Sequence, residues 1–268
     1  MPNSINTNVG ALVALQNLNE TSRALDTAQN RVNTGKIVST AKDNGAIFAI
    51  ASNMRSDMGA LNSVKNSIQR GQSVIDVALA AGETITKALE DQKSLAVSIQ
   101  SSVAGSAAET AYLNDYNALG IEITAALAGA SFDGTNLFSA GSATNNLVVQ
   151  TGISTTYSVH AVAGAATTVT TATTATRATA LVATVDTAIV AFNAKLATLG
   201  SNSKSLERQL TFTSKMQDAL ESGVGNLVDA DLAKESARLT ALQTKQQLGV
   251  QALGIANQSS SILLGLFR

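Results

Sequence analysis

The side chains that carry most enzymatic chemistry are almost missing from this chain. It has one histidine, His160, and no cysteine among 268 residues. A thiol nucleophile, a disulfide framework and a Cys/His metal cage are thereby excluded. His160 sits in Tyr157-Ser158-Val159-His160-Ala161, where it reads as an exposed strand residue rather than a ligand. No metal-hydrolase helix motif, phosphate-cradling glycine loop or His-based triad occurs. A glycan-binding module would need a concave site with convergent aromatic and polar groups, and the middle of the chain offers Phe132, Phe138 and Tyr157. Charged residues make up 14%, with a net charge of −1, and no basic patch with interleaved aromatics marks a nucleic-acid partner. What is left is apolar surface. The expectation is a structural, non-enzymatic protein without cofactor or metal.

That surface is concentrated at the two ends. The opening segment places Ile5, Leu12, Leu15, Leu18, Leu25 and Val32 among Ala, Asn, Thr and Gln, and the closing one does the same with Leu232, Leu239, Leu242, Leu253, Leu263, Leu264 and Leu266. Termini of a self-sufficient domain are usually short or frayed. Here they hold long amphipathic patterns that neither end can bury alone, so they are expected to pair with each other and with copies of themselves. The first helix spans about residues 4 to 33, stopped by Gly35 in the left-handed position. Ser39 or Thr40 is the expected cap of the next, with Asp43 in a capping-box-like place.

The clearest periodicity lies between the ends. Leu61, Ile68, Ile75, Gly82, Leu89, Ala96 and Val103 fall at seven-residue intervals, and Val64, Gly71, Ala78, Ile85, Gln92 and Ile99 form the companion series. This is a coiled-coil seam, thin at the two glycines and at Gln92. A second seam runs through Val182, Ile189, Leu196, Leu210 and Val224, with Val185, Phe192, Leu199, Leu206, Leu220 and Leu227 beside it, interrupted by Ser203, Thr213 and Gln217. The polar members read as tolerated or solvent-facing positions. A shorter helix is expected from Ala107 to Ala128, and Gly223 and Gly225 mark a joint before a last helix capped by Asp229 or Asp231.

Hydrophobic residues reach 45% but aromatics only 3%, and the one proline is Pro2. A mainly α fold follows: a long antiparallel coiled-coil bundle with paired terminal helices. The expected divisions are 1–35 and 225–268 for the terminal helices, 36–130 and 179–224 for the bundle, and 131–178 for a small β-rich cap with an exposed connector. In that middle, Phe132-Asp133-Gly134 carries an Asp-Gly hairpin signal. Leu147–Gln150 and Tyr157–Ala161 read as strands around Gly152. No signal peptide or span of roughly 18 apolar residues is evident, and the closing Ser-Ile-Leu-Leu-Gly-Leu-Phe reads as an interior helix contact, so no membrane partner is expected.

The order and wording of these segments resemble bacterial flagellins. INTNVGALVALQNLN is similar to the family's opening. Arg31, Asn33, Thr34, Gly35, Thr40, Ala41, Lys42, Asp43 and Asn44 match the segment running from Arg-x-Ser-Ser-Gly to Ser-Ala-Lys-Asp-Asp. FDGTNLF resembles the Phe-Asn-Gly turn, and LGVQALGIANQSSSILLGLFR resembles the closing signature. The short middle looks like the compact alphaproteobacterial, Caulobacter-type members.

The resemblance implies a subunit that polymerises into the extracellular flagellar filament for swimming. It would be exported unfolded through the flagellar type III apparatus, with a chaperone, a filament cap and hook-associated junction proteins as partners, alone or mixed with other flagellins. The rival readings are a hook–filament junction protein and a surface adhesin filament. Candidate sites for O-linked sugar are Thr167, Thr168, Thr170, Thr171, Thr173, Thr174 and Thr176. Ahead of Leu95-Ala96-Val97, Asp91 stands where many flagellins carry an arginine used by a vertebrate innate receptor. Depolymerised subunit is therefore expected to stimulate receptor-bearing cells only weakly; a strong response in a reporter assay would contradict that.

Overall fold

A computed structural model describes residues 8–139, 146–162 and 180–265. Among them run α1 (Val9–Thr34), α2 (Gly45–Ser101), α3 (Ala107–Gly129), β1 (Ser131–Phe132), β2 (Thr135–Asn136), β3 (Leu147–Gln150), β4 (Thr156–Val159), α4 (Ala180–Val228) and α5 (Leu232–Gly265). The mainly α class expected from composition is the one found. Two compact units divide the chain, one of Met1–Ser56 with Ala219–Arg268 and one of Asp57–Asp218. The division falls inside α2 and α4.

The unit of Asp57–Asp218 is organised by the heptad seams. Leu61, Val64, Ile68, Ile75, Ile85, Leu89 and Ile99 of α2 are buried, with Phe192, Leu199 and Leu206 of α4 against the same core and Ile189, Leu196 and Leu210 half-buried at its edge. Val103 does not join them. It lies past the end of α2 and is 77% exposed, because the helix stops at Ser101. The glycines are not thin places either. A Cβ at Gly71 would overlap Val149, and one at Gly82 would overlap Leu196, so each empty position is the hole that admits a neighbouring side chain. Of the two alternatives for Gln92 and Thr213, tolerated or solvent-facing, the structure has the first. Neither faces solvent: both are fully buried. The amide of Gln92 donates to the Tyr116 carbonyl at 3.1 Å, and Thr213 donates to Gln209 O at 2.8 Å, which satisfies groups that would be costly to bury unbonded.

α3 returns along α2 from a capped start. Ser106 Oγ accepts from Glu109 N at 3.1 Å, while Glu109 Oε2 accepts from Gly105 N at 2.6 Å, satisfying helix-entry donors that would otherwise be orphaned. The Asp-Gly signal becomes a tight turn between β1 and β2, with Asp133 and Gly134 at φ of 50° and 75°, the left-handed geometry such hairpins need. Arg70 reaches Asp133 across 3.4 Å.

The β3–β4 hairpin packs into the bundle. Leu147, Val149 and Val159 are buried in the bundle core. Three bonds clasp it to both long helices: Gln150 N donates to Ser67 Oγ at 3.0 Å, Gln209 Nε2 to Thr151 O at 2.8 Å, and Tyr157 OH to Asn202 Oδ1 at 2.9 Å. Its alternating pattern puts one face inward, as a half-buried strand requires. The early part of α4 is long and apolar enough by composition to cross a membrane. Val185, Phe192 and Leu199 are nevertheless inside the bundle, Val190 is exposed, and Asp186 pairs with Lys93 at 2.7 Å, so one face of this helix packs on the core.

In the other unit, α4 continues through Gly223 and Gly225 to Val228 rather than breaking at them. A Cβ added at Gly223 would lie 3.4 Å from the terminal methyl carbon of Met54, and the break comes three residues after Gly225. Asp231 then caps α5, accepting from Ala233 N and Lys234 N at 3.0 and 3.1 Å. The cap of α2 also differs from expectation, by a few residues. Asn44 accepts from Ala46 N and Ile47 N, both at 3.1 Å. Asp43 instead folds back on the backbone and hydroxyl groups of Ser39 and Thr40 at 2.8–3.2 Å. The backbone N–H of Thr40, then that of Ser39, holds its carboxyl below the usual carboxylate range.

Tyr116 is wholly buried, and its hydroxyl has no hydrogen-bond partner among the described residues. Burial pushes the phenol up from 10.0 to about 12. The native state thus keeps that proton longer than the unfolded chain. Stability is undiminished below about pH 10 and falls as pH climbs toward about 12. Tyr116→Phe is expected to move alkaline unfolding to higher pH and to leave neutral-pH stability equal or up to ~1 kcal/mol higher. An alkaline circular-dichroism titration unchanged by the substitution would assign the transition to another group.

Candidate assembly interface

The terminal helices find each other, and the contact is built from small and mid-sized side chains. Asn8 starts α1 and couples it to α5 at once: its Oδ1 accepts from Ala11 N at 3.0 Å, and its Nδ2 donates to Ala256 O at 2.8 Å. Further along, Gly249 lies against Leu18, and Gln246 reaches Ser22 at 3.4 Å. Near the other end of the pair, Arg31 meets Glu235 at 3.0 Å with both side chains largely covered. α1 stops at Gly35, whose φ of 66° is open to glycine without steric cost. The two connectors then zip together. Ile37 N donates to Val228 O at 2.7 Å, Ala230 N donates to Gly35 O at 2.8 Å, and Lys36 and Asp229 form an isolated antiparallel bridge.

The pair does not close its own apolar surface. Of the expected contact residues, Leu25 is buried, while Leu18, Val32, Leu239, Leu242 and Leu253 are half-buried; all six lie toward the partner helix. Leu12, Leu15 and Leu232 are not brought into that contact and stand exposed. The side chains of Leu263, Leu264 and Leu266 lie outside those described. Sequence reasoning also missed Val9, Val13, Leu248, Val250 and Ile255, which are equally open to solvent, Ile255 at 70% and Leu248 at 59%. They fall off the single stripe that a heptad template traces. Their signal was available, since these are large apolar residues spread around a helix instead of along one side.

Polarity adds a second constraint. From Asn8 to Asn19 on α1 and from Gln246 to Gly265 on α5, the pair has no ionisable side chain. Its one flank holds an open groove of about 420 Å³ between the helices, with Val13 and Leu18 on one wall, Leu248 and Gly249 on the other, and Lys245 at its end.

Other candidates fare differently. His160 is exposed, just past the end of β4. Phe138 is buried and stacks on Phe192 with ring centroids 5.6 Å apart, and the Tyr157 hydroxyl is committed to Asn202. Of the three aromatics that a glycan platform would draw on, only Phe132 is exposed. Thr167, Thr168, Thr170, Thr171, Thr173, Thr174 and Thr176 lie outside the described residues.

A helical subunit whose ends pair with each other and still present apolar flanks has surface left over that its own described residues do not cover. Comparison with known proteins supplies its family. Residues 5–144 match the bacterial flagellin N-terminal helical region, and residues 182–267 match the bacterial flagellin C-terminal helical region. The chain is 50% identical to flagellin FljK of Caulobacter vibrioides over 271 residues, covering 99% of both chains. It is also 50% identical to flagellin FljM of the same organism over 283 residues, again 99% of each, and 36% identical to a Brucella melitensis flagellin over 281 residues at the same coverage. The chain belongs to the bacterial flagellins and is a structural subunit of the extracellular flagellar filament.

Proposed function

We propose that assembly is carried by the α1/α5 pair, whose outward apolar residues are covered by neighbouring copies. Val9, Leu12, Val13, Leu15, Leu248, Val250 and Ile255 are each at least 44% exposed and are gathered on one helix pair. Covering a side chain that is already half-hidden contributes about 1 kcal/mol, so several such residues per subunit amount to a strong drive toward polymer. That exposed set is the observation supporting the reading.

The back of α5 suggests which side stays wet. Thr240, Thr244, Gln247, Gln251 and Gln258 are exposed and recur at helical spacing, on the side away from Leu242, Gly249, Leu253 and Ala256, which face α1. A neutral polar ridge of this kind suits a water-filled bore. In this reading residues 1–35 and 225–268 form the inner tube, 36–130 and 179–224 the surrounding wall, and 131–178 the outer side. Flagellar type III export, a chaperone, a tip cap and junction proteins complete the proposal, on the strength of membership in the flagellins. A structural rather than catalytic role fits the same residues.

Folding of the ends is proposed to be coupled to joining the fibre, because an Ala-rich helix pair with open flanks is marginal in water. Hydrogen exchange should then find α1 and α5 far less protected than α2 and α4 in the free subunit, and comparably protected in filaments. Equal protection in the free subunit would rule the coupling out. Removal of residues 1–35 and 231–268 is expected to abolish elongation onto filament seeds while leaving the helical content of the remainder intact. Normal filaments from that truncated chain, seen by electron microscopy, would refute assembly through the ends.

A further inference from the structure

The two flanks of the α1/α5 pair differ, and the difference specifies how copies meet. One flank is the groove, walled on α1 by Val13 and Leu18 and on α5 by Leu248 and Gly249, running from the Gly10/Ala256 level to Lys245. On the opposite side of α1, Leu12, Leu15, Asn19 and Asp26 form a single exposed stripe, since spacings of three, seven and eleven residues return to the same face. Val250 of α5 follows Leu248 by two residues, a little over half a helical turn, and so lies away from the groove. The flanks are thus a slot and a ridge, not two similar surfaces.

Charge and spacing match between them. Asp26 and Lys245 are both exposed, and neither has an ion-pair partner among the described residues. Lys245 is the first charge on α5 as the pair leaves its neutral half; on the ridge side of α1, Asp26 is in line with Leu15, while Arg23 stands about 80° round the helix from Leu15. Eleven residues separate Leu15 from Asp26, and eleven separate Lys245 from Ala256, about 16 Å of helix in each case at about 1.5 Å per residue. Seating Leu15 at the small-residue end of the groove brings Asp26 to Lys245.

Resting on assembly through the ends, we propose that the ridge of one subunit docks in the groove of a second copy lying parallel to it, with Leu15 against the Gly10/Ala256 end and Asp26 paired with Lys245. Because slot and ridge are different surfaces on opposite sides, the contact is heterologous and repeats from copy to copy without closing, as an open helical fibre requires. The parallel sense follows from polarity: an antiparallel neighbour would set Asp26 beside the uncharged end of the groove. The apolar contact supplies attraction, and the charge pair selects direction and axial offset.

The full-length chain tests this. Asp26→Lys alone and Lys245→Asp alone should each raise the critical concentration for seeded elongation about fivefold at low ionic strength, the scale on which one exposed attraction becomes a repulsion, with the effect shrinking as salt is added. The chain carrying both exchanges should return to near the wild-type value. Separately, Leu15→Cys with Ala256→Cys in this cysteine-free protein should give ladders of disulfide-linked subunits from oxidised filaments, and neither single cysteine should do so. A double exchange no better than the single ones, or well-formed filaments without a ladder, would overturn the pairing while leaving assembly through the ends untouched. Failure of the wild-type ends to matter in the truncation would overturn both.

Discussion

Two helices placed side by side can hide only the stripes that face each other. In α1 and α5 that inner contact is made of Leu18, Leu25, Leu242, Leu253 and several alanines and glycines, which allow close approach but cover little area. Large apolar residues are left around the periphery, and no third helix of the same unit covers them among the described residues. Everything distinctive in the chain answers to that shortage. The bundle of α2, α3 and α4 has a core of its own, with Ile68, Ile75, Tyr116, Ile123, Phe192 and Leu199 enclosed, although Ile121, Val190 and Phe212 stand exposed on it. The ends are less complete: among the described residues, Val9, Leu12, Val13, Leu15, Leu248, Val250 and Ile255 remain open.

Periodicity alone makes the bundle legible. A seven-residue repeat names the buried positions of α2 and α4 because the same geometry that produces the repeat places those side chains in the seam. The repeat is silent about what fills a gap in it. Gly71 and Gly82 read as weaknesses in the sequence, and they are sockets for Val149 and Leu196, one of which arrives from a hairpin with no heptad pattern. Gln92 and Thr213 read as either tolerated or solvent-facing; the partners that decide it, the Tyr116 carbonyl and the Gln209 carbonyl, become visible only in three dimensions. Glycine is misleading at Gly223 and Gly225 for a related reason. Its cost in a helix is about 1 kcal/mol against alanine, small enough for packing to override.

At the ends, the stripe method identifies the face that α1 and α5 turn toward each other and overlooks the faces they turn outward. A template that seeks one apolar side returns one side. Val9, Val13, Leu248, Val250 and Ile255 need a different question, namely which large apolar residues have nowhere to go once the first stripe is used. The cap of α2 at Asn44 is missed by a few residues because Ser39, Thr40, Asp43 and Asn44 all have capping chemistry. Their sequence order does not say which one the helix adopts and which one, Asp43, is diverted to stabilise the approach.

The β3–β4 hairpin has a consequence for what the protein tolerates. Its inner face is locked between α2 and α4, and just beyond β4 the N–H of Val162 is fastened to the Leu137 carbonyl at 2.7 Å, with α4 resuming at Ala180. A substitution on the inward face of β3 or β4 therefore reaches two helices at once, whereas one on the outward face, at Val148 or Ser158, meets solvent and leaves the clasp intact.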